Sequence, residues 1–113
     1  MKPFDVYHWQ PPGWPEPHPC VVISHPERAE RKDPVEVLMC STKRAGREPK
    51  STELILDEAD GMNWPTLCKC DLVHTVRKGE LRRHCGSVSA VRRGFLVRKL
   101  ISAHGWAEVL SAA

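Results

Sequence analysis

Short apolar segments separated by proline- or glycine-bearing loops constrain the fold of this chain most. Five such segments occur before residue 77, at residues 4–9, 20–24, 35–40, 52–57 and 67–76. Their length and the turn residues between them are typical of β-strands in a small antiparallel sheet that curls into a barrel. Residues 20–24 form an unbroken apolar run, which predicts a buried strand near the centre of that sheet.

The remaining segments predict loops and one helix. Residues 10–17 are rich in proline, which fixes φ and removes backbone donors, so this loop should be stiff and extended. Residues 25–34 are charged and bounded by prolines, which predicts a surface connection. A C-terminal helix is predicted from Ala90, with Ser89 as N-cap and Gly105 as C-cap, and with Trp106 folding back on the last turn. Its packed stripe is predicted to comprise Val91, Phe95, Leu96, Leu100 and Ile101.

Length and charge limit the class of protein. The 113 residues predict a single domain over residues 1–113, without a membrane span or a secretory leader, and therefore a cytoplasmic protein. Residues 1–60 hold eight Lys and Arg against eleven Asp and Glu, whereas residues 61–113 hold nine against three. The basic half could contact nucleic acid phosphates, and it could equally be a solvated face or a patch for an acidic protein.

The cysteines and histidines raise the alternative of a structural zinc site. Five cysteines without a secretory leader favour free thiols over disulfides. Possible ligands are Cys68, Cys70, His74, His84 and Cys85. Cys68 and Cys70 lie inside an apolar strand, however, on one face with Leu72 if the pleat is regular, and buried cysteine there behaves as a small hydrophobic residue. Neither a metal nor a cofactor is therefore expected.

Polar side chains meet where two predicted strands end. His18 precedes the strand at 20–24, and Ser41 and Thr42 follow the strand at 35–40. With the basic residues Lys43, Arg44 and Arg77 they offer a proton carrier, hydroxyl donors and positive charge, which metal-independent RNA cleavage requires. The same residues could simply cap strand ends and contact solvent. The sequence contains no glycine-rich phosphate loop, paired-carboxylate signature or Gly-x-Ser-x-Gly motif.

The order of these motifs resembles the MazF/PemK family of toxin endoribonucleases from bacterial toxin–antitoxin pairs. The family's opening strand is similar to residues 3–7, its arginine-proline strand to residues 18–24, and its Thr-Thr or Ser-Thr pair to Ser41 and Thr42. Its later motifs resemble Asp60–Gly61, residues 71–73 and residues 86–89. This chain has His18 where the family has arginine, Phe4 where it has glycine, and a proline-rich loop where it has a glycine-rich one.

The resemblance implies a mainly β fold, an SH3-like antiparallel barrel with a C-terminal α-helix, that acts as a homodimer. It implies metal-independent cleavage of single-stranded RNA in the dimer groove and neutralisation by an antitoxin. His18, Ser41 and Thr42 would be catalytic, and Trp14, Lys43, Arg44 and Arg77 would contact RNA. Trp9 and Trp14 could stack on bases or pack on the barrel. The alternative function is a non-catalytic module of the same fold that binds an antitoxin peptide, nucleic acid or a gyrase-like partner.

Overall fold

Six strands form one antiparallel sheet in the computed structural model, which describes residues 1–113. The strands are β1 (Asp5–Trp9), β2 (His18–Val22), β3 (Val35–Thr42), β4 (Glu53–Leu56), β5 (Thr66–Val76) and β6 (Arg82–Ser87), in the sheet order β4-β5-β3-β2-β1-β6. The helices are α1 (Pro26–Arg31), α2 (Ala90–Ala103) and α3 (Ala107–Ala112), with 3₁₀ turns at Glu58–Asp60 and Lys78–Glu80. None of the helices is long and apolar enough to cross a membrane.

The sheet curls without closing through backbone hydrogen bonds, since β4 and β6 are its two edges. The turn after β4 nevertheless reaches the end of β6. A Cβ atom on Gly61, whose φ is +88°, would lie 2.6 Å from the carbonyl oxygen of Cys85, so only glycine fits this approach. Beside it, Arg92 of α2 forms ion pairs with Asp57 and Asp60. These three residues, here called the acid–arginine cluster, join the two ends of the curled sheet.

Both faces of the central strands are buried, which confirms the prediction for the apolar run in β2. Val21 packs in one cluster with Val6 and Leu38. Cys20 and Val22 point to the other face and pack in a second cluster with residues such as Val37. Alternating residues of one strand thus serve two cores, because successive side chains point to opposite faces of a sheet.

The charged segment at residues 25–34 contains a helix, so the predicted surface connection is wrong in part. His25 Nδ1 accepts a hydrogen bond from the Glu27 backbone N–H at 3.1 Å, and Pro26 occupies the first helical turn. Proline is favoured there because its missing N–H would have no helical partner. Ala29 anchors α1 by its complete burial against the sheet.

The face predicted for β5 is also wrong at one position. Cys68 and Cys70 are buried, but Leu72 is 55% exposed. The pairing explains the difference: β5 advances from Cys68 to Val73 while its partner β3 moves only from Cys40 to Leu38. The extra residues of this irregularity interrupt the pleat and turn Leu72 away from the core.

The predicted C-terminal helix is confirmed, but its packed stripe is only partly buried. Leu96 is fully buried, whereas Val91 is 77% exposed and Phe95 is also exposed. The acid–arginine cluster determines this orientation, because it holds the Arg92 face of α2 against the turn after β4. Ser89 occupies the N-cap without a side-chain capping bond, and its backbone N–H donates to Asp60 Oδ1 at 2.8 Å.

The end of the chain adds an element that the sequence analysis did not predict. The C-cap of α2 is His104 and not the predicted Gly105, which is the next residue and has φ +74°. Trp106 does fold back, with its ring stacked on His104 at a centroid distance of 4.7 Å. The helix α3 then extends the chain, and its Val109 and Leu110 are exposed.

Phe4 has a backbone conformation that favours glycine, at the position where the MazF/PemK family has glycine. Its φ is +73°, in the left-handed region that non-glycine residues rarely adopt. Its carbonyl oxygen accepts hydrogen bonds from Val88 N–H at 2.9 Å and Ser87 Oγ at 3.3 Å. The Arg93 guanidinium lies 5.1 Å from the centre of its ring. These contacts hold Phe4 in a strained conformation.

Candidate functional site

The start of β2 and the end of β3 lie side by side. The strands are antiparallel with Cys20 opposite Met39, so the same register brings His18 level with Ser41. Thr42 is the last residue of β3 and lies opposite Thr66 of β5. Antiparallel pairing therefore gathers the three side chains that the sequence analysis proposed as catalytic.

A cavity of about 430 Å³ opens at this rim. Its lining comprises Glu16, His18, Ser41, Thr42, Arg44, Arg47 and Lys69. Every one of these side chains is polar, and three cations, Arg44, Arg47 and Lys69, accompany one carboxylate. The excess of positive charge favours an anionic ligand.

The hydroxyl of Thr42 is oriented by a tryptophan that the sequence analysis did not select. Trp64 Nε1 donates a hydrogen bond to Thr42 Oγ1 at 3.0 Å. Since this bond occupies the oxygen as an acceptor, the hydroxyl proton remains free for donation to another group. Trp64 lies in the loop before β5, and only the pairing of β5 with β3 brings it to Thr42.

Arg47 is held at the cavity wall by a buried carboxylate. Its Nη2 donates to both carboxylate oxygens of Glu53, each at 3.1 Å. Burial alone would raise the pKa of Glu53, but hydrogen bonds from the Lys50 backbone N–H and from Arg47 outweigh it and lower that pKa. The lowered pKa favours the ionised form of Glu53, and this carboxylate offsets the charge of Arg47.

The two tryptophans near the proline-rich loop have different environments. Trp9 is buried in a core cluster, with its ring edge-on to His74. Trp14 is 45% exposed, and its ring meets the His18 ring edge-on at a centroid distance of 5.1 Å. Packing on the barrel is thus the role of Trp9, whereas Trp14 presents an accessible ring beside the site.

Two of the basic residues predicted at the rim do not line the cavity. The Lys43 backbone N–H donates to the Pro65 carbonyl oxygen at 3.0 Å. Its side chain does not line the cavity. Arg77 follows the far end of β5, where Val76 pairs with Val35. Because β3 and β5 are antiparallel, Arg77 lies at the opposite end of this strand pair from Thr42, and its predicted place at the rim is wrong.

The proposed zinc ligands are not gathered. No group of three or more His, Cys, Asp or Glu side chains in residues 1–113 is arranged to hold a metal ion. All five cysteines are free thiols, and only Cys85 is partly exposed. Burial raises the pKa of Cys20 to about 12, which keeps that thiol protonated and unreactive. The cysteines therefore contribute to the core.

Known structures share this fold. An endoribonuclease from a mycobacterial species, solved in complex with its cognate antitoxin, superposes with a TM-score of 0.78 at 19% identity, covering 93% of this chain and 95% of that chain. The Mycobacterium tuberculosis toxin MazF-mt6 gives a TM-score of 0.74 at 21% identity, covering 89% and 96%. These likenesses confirm the mainly β fold class. No curated protein matches the sequence significantly.

The sequence itself matches a family model over residues 3–102. That model describes the PemK-like, MazF-like toxin of type II toxin–antitoxin systems, and the match extends from Pro3, just before the strained Phe4, to the last turn of α2. The resemblance inferred from the short motifs is confirmed: the chain belongs to the PemK-like, MazF-like toxin family.

Proposed function

We propose that this protein is a toxin endoribonuclease that cleaves single-stranded RNA without a metal ion at the rim between β2 and β3. The observation that carries the proposal is the cavity that His18, at the start of β2, shares with Ser41, Thr42 and Arg44, at the end of β3 and in the loop that follows it. Membership of the toxin family supports the same activity.

The chemistry requires two proton transfers and a stabilised phosphorane. A base takes the proton of the 2′-hydroxyl, the 2′-oxygen attacks phosphorus, and the 5′-oxygen leaves with a proton from an acid, which forms a 2′,3′-cyclic phosphate. His18 transfers a proton in this scheme, and Glu16 supplies the one carboxylate that lines the same cavity. Ser41 and Thr42 donate hydrogen bonds to the nonbridging oxygens.

Positive charge around the rim would hold the RNA backbone. Arg44 and Lys69 line the cavity without an acidic partner within 4 Å, so both are available for phosphate. Trp14 offers its accessible ring to an unpaired base. Lys43 and Arg77 lie outside the cavity and would contact the strand away from the cleaved bond.

The test is RNA cleavage in excess chelator by the wild type, His18→Ala and the matched control His25→Asn. Asparagine at residue 25 preserves the N-cap of α1, and that residue lies outside the cavity. We expect His18→Ala to lower the rate about 100-fold or more, the usual effect of losing a proton carrier, while His25→Asn cleaves as the wild type does. Equal activity of the wild type and His18→Ala would refute the assigned chemistry.

We further propose a cytoplasmic homodimer that an antitoxin neutralises. A known structure of the same fold was solved with its cognate antitoxin, and α2 and α3 expose Phe95, Val109 and Leu110. Light scattering of the purified protein measures the oligomeric state, and co-expression with the product of a neighbouring short reading frame tests rescue of growth. A monomer at micromolar concentration would contradict the dimer.

The alternative is a non-catalytic module that binds through the same fold. His18 favours it, because histidine lacks the two-pronged guanidinium with which arginine holds a phosphate. Normal growth on expression, absence of RNA cleavage and tight binding of a peptide partner would establish this alternative.

A further inference from the structure

The largest cavity of the molecule lies beside the candidate site and plays no part in the chemistry described above. It has a volume of about 700 Å³ and lies between the proline-rich loop and β6. Its lining includes His8, Gln10, Trp14, Glu80, Arg82 and Arg83. Trp14 connects it to the rim, because its ring also meets His18. We propose that this cavity binds the nucleotide next to the cleaved phosphate, an inference that rests on the proposed RNA cleavage.

The size and the exposed ring of the cavity suit a nucleotide. Cavities of about 300–1,000 Å³ bind small molecules in proteins, and this volume lies within that range. Trp14 offers a flat apolar surface to a base, and stacking of a base on an aromatic side chain strengthens binding by about 5- to 150-fold. Stacking is independent of base identity, so Trp14 would serve any sequence.

Trp14 is held in place before any ligand binds. Its backbone N–H donates to the Pro11 carbonyl oxygen at 3.0 Å, which closes a tight turn through Pro12 and Gly13. Gly13 has φ +83°, as the third residue of a type II turn requires, and proline is favoured before it. Gln10 Nε2 also donates to the Trp14 carbonyl oxygen at 2.8 Å. A ring on such a rigid turn loses little conformational entropy when it binds.

A bulge in β6 brings two arginines to the same cavity. β6 pairs with β1 at His8–Arg82 and again at Val6–Gly86, so β6 spans four residues where β1 spans two. Arg83 lies in this bulge with φ +46°, which is a strained backbone conformation for a residue other than glycine. Neighbouring residues of a regular strand point to opposite faces, yet Arg82 and Arg83 both line the cavity. The bulge therefore directs both guanidinium groups to one place.

The charges in the cavity match the phosphate and base of a nucleotide. Neither Arg82 nor Arg83 has an acidic partner within 4 Å. Burial, with Arg83 nearby, lowers the pKa of His8, which favours the neutral form of this ring in the cavity wall. Glu80 is held by the Arg77 backbone N–H at 3.3 Å and can accept hydrogen bonds from a base. Charged residues and bulges also keep an edge strand from pairing with another chain, but that role does not require both arginines to line one cavity.

The probe for the test is a labelled single-stranded RNA decamer with methylated 2′-hydroxyls, which cannot be cleaved. Binding is measured by fluorescence anisotropy at several salt concentrations for the wild type, Arg82→Ala, Arg83→Ala and Arg83→Gly. Arg31→Ala is the matched control, since Arg31 is an exposed arginine of α1 away from both cavities. Arg83→Gly removes the guanidinium but accepts the positive φ, so it separates binding from folding.

We expect each variant of Arg82 and Arg83 to bind RNA about 5-fold or more weakly and to reduce the salt slope by about 0.7, as for one lost contact to a single strand. Arg31→Ala should bind as the wild type does. If all variants match the wild type in affinity and salt slope while unmodified RNA is still cleaved, the nucleotide subsite is refuted and the proposed function stands. If the wild type neither binds nor cleaves RNA, the proposed function fails as well.

Discussion

Replacing Asp60, in the turn after β4, should strongly destabilise the fold. Its carboxylate is completely buried and accepts from Ser89 N–H at 2.8 Å and from Asp57 N–H at 3.0 Å. It also forms the ion pair with Arg92. Asp60→Ala leaves two backbone donors without a partner, while Arg92 retains Asp57. Each unpartnered buried donor costs about 1–3 kcal/mol, so we expect a loss of about 3–5 kcal/mol in the free energy of unfolding.

The assay is urea unfolding followed by circular dichroism, with Asp71→Ala as the matched control. Asp71 is exposed on β5 and should change the free energy of unfolding by about 0.5 kcal/mol or less. For a domain of this size the loss at Asp60 corresponds to a fall in Tm of about 10 °C or more. A loss below about 1 kcal/mol, similar to that of the control, would refute the importance assigned to the acid–arginine cluster.

Four further predictions concern strain, reactivity, orientation and acid. Phe4→Gly should be more stable than Phe4→Ala by about 1 kcal/mol in urea unfolding, because only glycine accepts the positive φ without strain; equal stabilities would contradict this. In the native protein a thiol reagent should modify the partly exposed Cys85 faster than the four buried cysteines, and Cys85→Ser should abolish that faster phase. Trp64→Phe should lower kcat for RNA cleavage about 3- to 10-fold with KM unchanged, because the Thr42 hydroxyl loses the hydrogen bond that orients it. The same change should have no effect in a Thr42→Val background, which lacks that hydroxyl. A hydrogen bond from Arg92 holds the pKa of Asp57 at about 2, below its ordinary 3.8. The stabilisation of the fold by ionised Asp57 should therefore be complete above pH 3.8 and be lost as the pH falls toward 2. Urea unfolding at a series of pH values measures this dependence, and Asp57→Asn should flatten it.

The meeting of His18, Ser41 and Thr42 could be predicted because it depends on local information. Each lies at one end of a strand with a clear apolar pattern, and antiparallel pairing places the start of one strand beside the end of its neighbour. The pattern also predicted the burial of β2 on both faces. Only the register, which the pattern does not determine, shows that His18 is level with Ser41.

Features that depend on distant contacts were beyond the reach of the sequence pattern. The exposure of Val91 follows from the ion pairs between α2 and the turn after β4, which no periodicity within the helix can reveal. Leu72 faces away from the core because of an irregularity in pairing between β5 and β3. Arg77 was misplaced because charge alone does not indicate which end of a strand pair a residue occupies.

The pairing of β1 with β2 makes the position of His18 independent of the conformation of the proline-rich loop. Trp9 pairs with His18 at the very base of the proline-rich loop, so the position of His18 is fixed by the ladder below the loop and not by the loop itself. Residues 10–15 could therefore be shortened, lengthened or exchanged while His18 keeps its place beside Ser41. Such a loop is suited to exchange by evolution or design, because it can change without altering the positions of the strand-end side chains at the candidate site.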